Sequence, residues 1–484
     1  MVFNSIDFAI FLPVVFIFYW FITNRSLKLQ NLFLVFASYF FYSCWDWRFL
    51  SLIAFSTIID YSVGCRLGKE EKETKRNFLL CVSILVNLGF LGYFKYYNFF
   101  LDNFIAAFSF FGHKISHNSL NIILPVGISF YTFQTLSYTI DVYKKKLEPT
   151  KDFIAFAAFV SFFPQLVSGP IERATHLLTQ FYTKRTFDYS KAVDGMRQIL
   201  WGLFKKIVIA DNCANFANQI FENSASMNGS SLVLGALFFT FQIYGDFSGY
   251  SDIAIGTARL FGFDLMRNFA FPYFSRDIAE FWRRWHISLS TWFRDYLYIP
   301  LGGSRGGPWL KVRNTFIIFI VSGFWHGASW TFIFWGALNA VYFLPLLLTN
   351  NNRRNMNIVA RGKILPTLKE LIQIFLTFGL TVFAWIFFRA EDVGHAFQYI
   401  QGIFSNSLFT LPDIYGMNEA LMTMFFVGLF VLIEWKGREG QYAIENINTV
   451  VRRFNRWSFY LCIILVIYFF GNYSENIEFI YFQF

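Results

Sequence analysis

Long apolar stretches follow one another along almost the whole chain. A helix needs about 20 mostly apolar residues to cross the hydrocarbon layer of a membrane. Only 15% of the 484 residues are charged, against about 25% in ordinary globular proteins, which is too few to cover a soluble particle. The sequence therefore predicts an all-α polytopic membrane protein and excludes disordered, coiled-coil and nucleic-acid-binding classes. The candidate spans are residues 7–23, 31–46, 48–65, 77–95, 98–112, 122–141, 153–168, 195–211, 231–246, 252–263, 314–324, 328–349, 368–389, 418–435 and 457–471.

Some of these stretches are too short or too broken to span alone. Pro125 and Gly127 interrupt residues 122–141, and Pro164 interrupts residues 153–168. Irregular backbone is tolerated at membrane depth only where protein buries it or a water-filled cavity adjoins it. We therefore expect about 11 transmembrane helices plus re-entrant or interfacial helices around a central tunnel. No internal repeat or inserted soluble domain is visible, so residues 1–484 are predicted to form a single domain.

The basic loops predict the orientation in the membrane. Short loops rich in lysine and arginine follow the first helix (residues 24–30), the third helix (66–76) and the helix at 418–435. Such loops remain in the cytoplasm, which also accounts for the net charge of +10 without a nucleic-acid partner. Both termini are then extracytoplasmic, the first helix is retained, and residues 472–484 form an extracytoplasmic tail.

His326 is the histidine that lies inside a strongly apolar run, residues 315–330. An ionisable group at that depth is costly and is a functional candidate for that reason. The alternative is a histidine hydrogen-bonded to a neighbouring helix. Gly323 and Gly327 would let another molecule approach closely, and Trp325 could line a cavity. Histidine also has the pKa best suited to moving a proton at neutral pH.

Two further segments concentrate polar groups. The segment Tyr-Gly-Asp-Phe-Ser-Gly-Tyr-Ser-Asp, residues 244–252, falls between two predicted spans and contains Asp246, Ser248 and Tyr250. Its carboxylates could orient an imidazole, hold an arginine, or cap a helix that starts near Ser251.

Residues 265–314 combine many arginines with many aromatic side chains. Arginine and aromatic residues at this density are typical of the membrane–water interface. One interpretation is an amphipathic helix lying on the inner leaflet. The other is a cationic mouth for an anionic substrate such as a phosphate-bearing acyl donor, in which Arg283, Arg284 and Arg294 would bind the donor.

Two motifs resemble a known family. The run Phe281-Trp-Arg-Arg-Trp-His286-Ile-Ser-Leu-Ser-Thr-Trp-Phe-Arg-Asp-Tyr-Leu-Tyr-Ile-Pro-Leu-Gly-Gly303 is followed by Gly323-Phe-Trp-His326-Gly. Together they resemble the membrane-bound O-acyltransferase (MBOAT) family, and in particular its bacterial branch of alginate and peptidoglycan O-acetyltransferases and teichoic-acid D-alanyltransferases. The segments at 163–171, 246–252 and 385–392 support the resemblance, which covers nearly the whole chain.

The resemblance implies an O-acyltransferase of the bacterial inner membrane. His326 matches the family's catalytic residue, and His286 matches a second position beside it in the tunnel. The acyl group would come from a cytoplasmic thioester, acetyl-CoA in preference to a carrier-protein D-alanyl thioester. An extracytoplasmic acetyltransferase- or esterase-like partner would deliver it to a cell-surface polysaccharide such as alginate, or to peptidoglycan. We expect no bound cofactor and no metal.

The C-terminus suggests how the acyl group leaves the enzyme. The last six residues, 479–484, read Phe-x-Tyr-x-x-Phe and resemble the terminal motif of a small partner peptide in the teichoic-acid system. Tyr481 could accept the acyl group near His326, because a phenol with a pKa near 10 is a better leaving group than an alkyl alcohol. The alternative is a simple interfacial aromatic anchor.

Two other classes remain open at this stage. A transporter or lipid-linked-sugar flippase would also need a polar cavity in a polytopic bundle, but inverted repeats are common in such proteins, and neither a repeat nor a series of intramembrane carboxylates is apparent in the sequence. A non-catalytic scaffold of an export complex should tolerate loss of His326.

Overall fold

The computed structural model describes residues 1–110, 120, 122–473 and 479–480. These residues fold into helices and connecting loops, and no strand occurs among them. The all-α prediction is therefore confirmed. Two compact units can be separated, Met1–Ala192 with Thr257–Met266 and Val193–Gly256 with Arg267–Phe484.

The first unit contains the N-terminal helices. Within it, α7 and α8 are separated at Phe162, whose backbone leaves the helical region, and Gly127 precedes α6 in the left-handed conformation at φ 76°. The predicted interruptions of these two stretches are thus confirmed. The helices are α1 (Ile6–Ile17), α2 (Leu27–Asp46), α3 (Leu50–Leu67), α4 (Glu73–Leu91), α5 (Tyr97–Phe110), α6 (Ile128–Tyr143), α7 (Phe153–Ser161) and α8 (Phe163–Leu166).

A buried carboxylate joins three helices of this unit. Asp60 of α3 accepts hydrogen bonds from the Ser83 hydroxyl (2.6 Å) and the Asn87 amide (2.9 and 3.1 Å) of α4. The Asn87 carbonyl oxygen in turn accepts from Thr135 of α6 at 3.1 Å. Polar groups at membrane depth must find partners within the protein, so this network fixes how α3, α4 and α6 pack. The sequence did not lead us to expect such intramembrane carboxylates.

His176 ties together two loops of the first unit. Its Nδ1 lies 2.8 Å from Glu172 and its Nε2 lies 3.7 Å from Asp264. The carboxylates of Asp264 and Glu172 raise the pKa of His176 from 6.5 to about 10. The imidazolium in turn lowers the pKa of Asp264.

Replacing His176 with glutamine is therefore expected to destabilise the protein in a pH-dependent way. The unfolded chain loses this proton near pH 6.5 and the folded chain near pH 10, so the stabilisation is complete below pH 6.5 and is lost as the pH rises through about 10. The effect should be about 1 kcal/mol or less, because 38% of the side chain is exposed. Melting of wild type and variant in detergent at pH 6, 8 and 10 measures it. A difference that grows toward pH 10 would contradict the assignment.

The second unit contains most of the remaining helices. Helices α9 and α11 have residues in both units. The segment Phe204–Ala210, between α9 and α10, is a π-helix. The helices are α9 (Tyr189–Leu203), α10 (Asp211–Glu222), α11 (Gly229–Leu260), α12 (Ile278–Arg284), α13 (Ile287–Phe293), α14 (Pro308–His326), α15 (Trp330–Leu348), α16 (Leu368–Arg389), α17 (Val393–Ile403), α18 (Met417–Gly437), α19 (Ile447–Val450) and α20 (Arg453–Phe470).

Within the described ranges, seven helical stretches are long and apolar enough to cross a membrane. The protein is therefore a multi-pass membrane protein. Two of these stretches each contain two helices, α2 with α3 and α4 with α5, so seven stretches are not a count of crossings. The stretches are Leu27–Leu67, Glu73–Phe110, Gly229–Leu260, Trp330–Leu348, Leu368–Arg389, Met417–Gly437 and Arg453–Phe470.

The predicted break at residues 246–252 is wrong. These residues lie inside α11, one continuous helix of 32 residues. Ser251 is therefore not a helix cap. The sequence suggested a break because glycines and polar residues interrupt the apolar run, but Gly249 and Gly256 instead allow close packing: a Cβ there would lie 2.8 Å from the carbonyl oxygen of Gly202 and 2.5 Å from that of Gly195.

Candidate active site

His326 is the last residue of α14 and lies in a box of aromatic rings. It is 3% exposed. Its ring centre lies 5.0 Å from that of Trp325, 5.3 Å from that of Trp335 and 5.3 Å from that of Phe388. These rings hold the imidazole in an apolar environment that excludes bulk water.

The glycines before and after His326 serve a different purpose from the one predicted. A Cβ on Gly323 would lie 2.1 Å from the carbonyl oxygen of Phe332, and one on Gly327 would lie 2.1 Å from the Phe332 ring. Across the same contact, a Cβ on Gly336 would lie 2.4 Å from the carbonyl oxygen of Phe319. The space at Gly323 and Gly327 is thus filled by α15, and that at Gly336 by α14, as small residues allow between membrane helices, and not by another molecule. The expectation of an open approach at Gly323 and Gly327 is wrong.

His286 lies beside His326 in a strained backbone conformation. Its φ is +43°, in the left-handed region that residues other than glycine rarely adopt. Asn268 holds the segment in place: its carbonyl oxygen accepts from the Ile287 amide at 2.9 Å, and its side chain accepts from the Ser288 hydroxyl at 2.6 Å. Strain of this kind concentrates at functional sites. Asn268 is a residue that the sequence reasoning missed.

The two imidazoles form one cluster with Trp325. Their ring centres are 6.3 Å apart, and that of Trp325 lies 5.9 Å from that of His286. His286 is 1% exposed and lies outside the seven apolar helices. Burial lowers the pKa of His286 to about 3, so its ring is neutral at physiological pH. The structure therefore brings together three of the predicted site residues.

A cavity of about 560 Å³ lies near this cluster, although His286, His326 and Trp325 are not among its lining residues. It reaches Ile287, the neighbour of His286, and Ser322, one helical turn before His326. The volume is within the range of small-molecule sites. Its wall is mostly apolar and aromatic, with Trp282, Phe293, Tyr298, Phe319 and Phe343, and its cations are Arg283, Arg294 and Arg353.

The three predicted donor-binding arginines differ in position. Arg283 lines the cavity and donates to the carbonyl oxygens of Asn352 (2.7 Å) and Asn355 (2.8 Å). Arg294 also lines it, and its side chain is 57% exposed beside Asp295. Arg284 is not among the lining residues; its guanidinium donates to Glu280 and to the carbonyl oxygen of Ala270. The segment after α15, with Asn352 and Arg353, also lines the cavity and was not predicted.

Residues 265–314 do not form one amphipathic helix. They contain α12, then α13, which continues directly into the π-helix Arg294–Tyr298, and the first turns of α14, with loops between these three parts. Trp285 and Trp292 are buried instead of facing outward. The interpretation of this segment as a single helix on the membrane surface is therefore wrong.

The predicted residues of α11 contact two other parts of the unit. Asp246 lies 2.8 Å from Lys206 Nζ, and its Oδ2 accepts from the backbone amide of Ile480 at 2.7 Å. Ser248 accepts from Lys205 Nζ at 3.0 Å. The Tyr250 ring centre lies 4.6 Å from that of Phe479. Tyr481 lies outside the described residues.

The two lysines of the π-helix are further residues that the sequence reasoning missed. Lys206 pairs with Asp246 and Asp211, and Lys205 pairs with Asp252. Lysines inside the apolar run 195–211 were the available signal, since charges at membrane depth are rarely accidental. The expectation that intramembrane carboxylates are lacking is also wrong, so that argument against a transporter no longer holds.

Comparison with known proteins decides between these classes. Residues 149–388 match the family model of the membrane-bound O-acyltransferases. A probable alginate O-acetylase of Pseudomonas aeruginosa is 41% identical over 89% of this chain and 80% of its own length. A peptidoglycan O-acetyltransferase of Helicobacter pylori is 36% identical over 81% of this chain and 77% of its own length. A teichoic acid D-alanyltransferase of Bacillus subtilis is 27% identical over 58% of this chain and 72% of its own length. The apolar helices of this chain and the names of its relatives lead to the same conclusion. The chain belongs to the membrane-bound O-acyltransferase family and is an acyltransferase.

Proposed function

We propose that the protein is an inner-membrane O-acetyltransferase that moves an acetyl group from a cytoplasmic thioester to the outer face of the membrane. The acceptor at the end of the path is a cell-surface polysaccharide, of the alginate or peptidoglycan kind that the relatives' names give. The observation that carries the proposal is the buried pair His326 and His286, 6.3 Å apart between ring centres, beside a cavity of about 560 Å³.

The cavity suits an anionic thioester donor. Its lining residues include Arg283, Arg294 and Arg353, which would attract the phosphate groups of the donor. Its aromatic wall would pack against the arm of the donor that carries the thioester. By the predicted topology this segment faces the cytoplasm, where acetyl-CoA is available. The described lining residues include three arginines and no carboxylate, a balance that disfavours the ammonium group of a D-alanyl thioester and favours acetyl as the transferred group.

The transfer itself needs one base. His326 takes the proton from an attacking hydroxyl, and the oxygen then forms a bond to the thioester carbonyl carbon. The carbon–sulfur bond breaks, and the imidazolium returns its proton to the leaving thiolate. His286 is neutral, since burial lowers its pKa to about 3. A neutral imidazole has one N–H group, with which it would polarise the thioester carbonyl or position the donor.

Tyr481 is the first acceptor in this proposal. Phe479 and Ile480, the two residues before it, are 3% and 1% exposed. The Phe479 ring centre lies 6.2 Å from that of Phe247, which in turn lies 4.6 Å from that of His286. Burial of this kind supports a tail that enters the protein, in preference to an anchor lying in the interface. An extracytoplasmic esterase-like partner would then take the acetyl group from the Tyr481 ester and deliver it to the polysaccharide.

Mass spectrometry tests the relay. The purified full-length protein is incubated with isotope-labelled acetyl-CoA, and its C-terminal peptide is analysed. We expect label on Tyr481 in wild type and none on the peptide of the Tyr481→Phe variant, which keeps the ring but has no hydroxyl to acylate. Product acetylation in cells should fall to background in the same variant.

Tyr473→Phe is the matched control. Tyr473 is in the same terminal segment, and its hydroxyl donates to the carbonyl oxygen of Ile467. The Tyr473→Phe variant should acetylate the product in cells as wild type does. Normal product acetylation by Tyr481→Phe would end the relay proposal, and label that persists in a His326→Ala variant would end the assignment of the base.

A further inference from the structure

A buried charge cluster in the second unit contacts the C-terminal tail. Lys206 Nζ lies 2.8 Å from Asp211 Oδ1 and 2.8 Å from Asp246 Oδ1. The three side chains are 3%, 4% and 4% exposed. Asp246 uses its other oxygen, Oδ2, to accept from the Ile480 amide at 2.7 Å. We call Lys206, Asp211 and Asp246 the tail seat.

The beginning of the tail is attached to the same region of the protein. The Asn472 amide donates to the carbonyl oxygen of Ile207 at 3.2 Å, and its side chain donates to the carbonyl oxygen of Asp211 at 3.3 Å. Asn212 donates to the carbonyl oxygen of Phe470 at 2.9 Å. Phe470 and Asn472 are thus held by residues 207–212, and Ile480 is held by Asp246 of α11.

We propose that the tail seat is a binding site for the protein's own C-terminal tail, and that Asp246 is the residue that positions it for acyl transfer. A buried backbone amide needs an acceptor, and Asp246 supplies one with Oδ2 while its Oδ1 pairs with Lys206. Asp211 shares the same lysine. The positioning role rests on the proposed function of Tyr481, whereas the binding of the tail does not.

The geometry explains why a charged seat is placed here. Between Phe479 and His286 lies the ring of Phe247, with ring centres 6.2 and 4.6 Å away. An apolar contact alone would let the tail slide, but the hydrogen bond to Asp246 fixes its register at Ile480. Register matters because a small misplacement of a reacting group lowers the rate of transfer steeply.

Hydrogen–deuterium exchange of the full-length protein tests the site, with Asp246→Asn as the variant. An asparagine carries an oxygen in place of one carboxylate oxygen and an NH2 group in place of the other, so one of the two donors, Lys206 or the Ile480 amide, would face a second donor. We expect exchange of the peptide covering residues 471–484 to be faster by about tenfold or more, as for loss of a hydrogen bond to a charged group. Tyr481 acetylation should slow by a similar factor, in kcat and not in the KM for acetyl-CoA.

Asp252→Asn is the matched control. Asp252 lies six residues further along α11 and holds Lys205 and Gln198 in a similar buried arrangement. This variant should lose stability without faster exchange of the tail. Unchanged tail exchange in Asp246→Asn, or equally fast exchange in both variants, would overturn the binding site. Faster exchange with an unchanged kcat would overturn the positioning role. Absence of label on wild-type Tyr481 would contradict the relay alone, because the exchange experiment does not depend on it.

Discussion

Replacing His326 with alanine should reduce acyl transfer by about 10²- to 10⁴-fold, the contribution of a positioned general base, and product acetylation in cells should fall to background. The imidazole is the group that takes the proton in the proposed step, and alanine offers no replacement. Replacement by glutamine, which fills more of the space between Trp335 and Phe388 but cannot act as a base, should be equally inactive. Transfer of labelled acetyl groups in isolated membranes measures the effect.

The control separates chemistry from folding. His395, in the first turn of α17, forms a hydrogen bond with Ser224 at 3.0 Å. It belongs to the same compact unit as His326. His395→Gln should acetylate normally. Both His326 variants should insert into the membrane and elute from a size-exclusion column at the same volume as wild type. Near-normal product acetylation by His326→Ala, with normal amounts of protein, would refute the assignment.

Replacing Lys206 with methionine is expected to destabilise the protein by about 3–5 kcal/mol, the usual result of removing one partner from a buried ion pair. Lys206 lies between two carboxylates that are 4% exposed. Methionine keeps much of the lysine's volume but leaves Asp211 and Asp246 without their cation. Thermal unfolding in detergent and the yield of folded protein measure the loss.

A compensated variant distinguishes charge from packing. In Lys206→Met combined with Asp211→Asn and Asp246→Asn, neither carboxylate remains, so much of the lost stability should return. Activity should return only in part, since a neutral amide oxygen accepts from the Ile480 amide more weakly than the carboxylate does. A Lys206→Met variant that melts like wild type would contradict the importance of the cluster.

The residue types of the site could be predicted, but their neighbours could not. His326 stood out because an ionisable side chain lay in an apolar run, and His286 because of the motif around it. Asn268, which holds His286 in its left-handed conformation, lies 18 residues before it along the chain and carries no local signal. The same is true of the 352–353 segment of the cavity wall, which comes close only through folding.

Glycines and charges in apolar runs were the main source of wrong predictions. Glycine and polar residues at 246–252 suggested a break, although α11 runs through them. Gly323 and Gly327 suggested an open approach, although α15 fills it. In each case the sequence showed that space or polarity was present, and could not show which helix would use it.

Composition and pattern by themselves determined that this chain is helical, crosses a membrane several times and places a histidine among apolar side chains. These properties depend on the free energy of transferring each segment from water to lipid. That free energy is set by residues that are close together in the sequence. Only the tertiary structure decided that His286 meets His326, that Lys206 meets Asp246, and that Ile480 returns to α11. Those contacts join residues 40 to 234 positions apart, and their energy comes from satisfying polar groups between helices, which no single segment records.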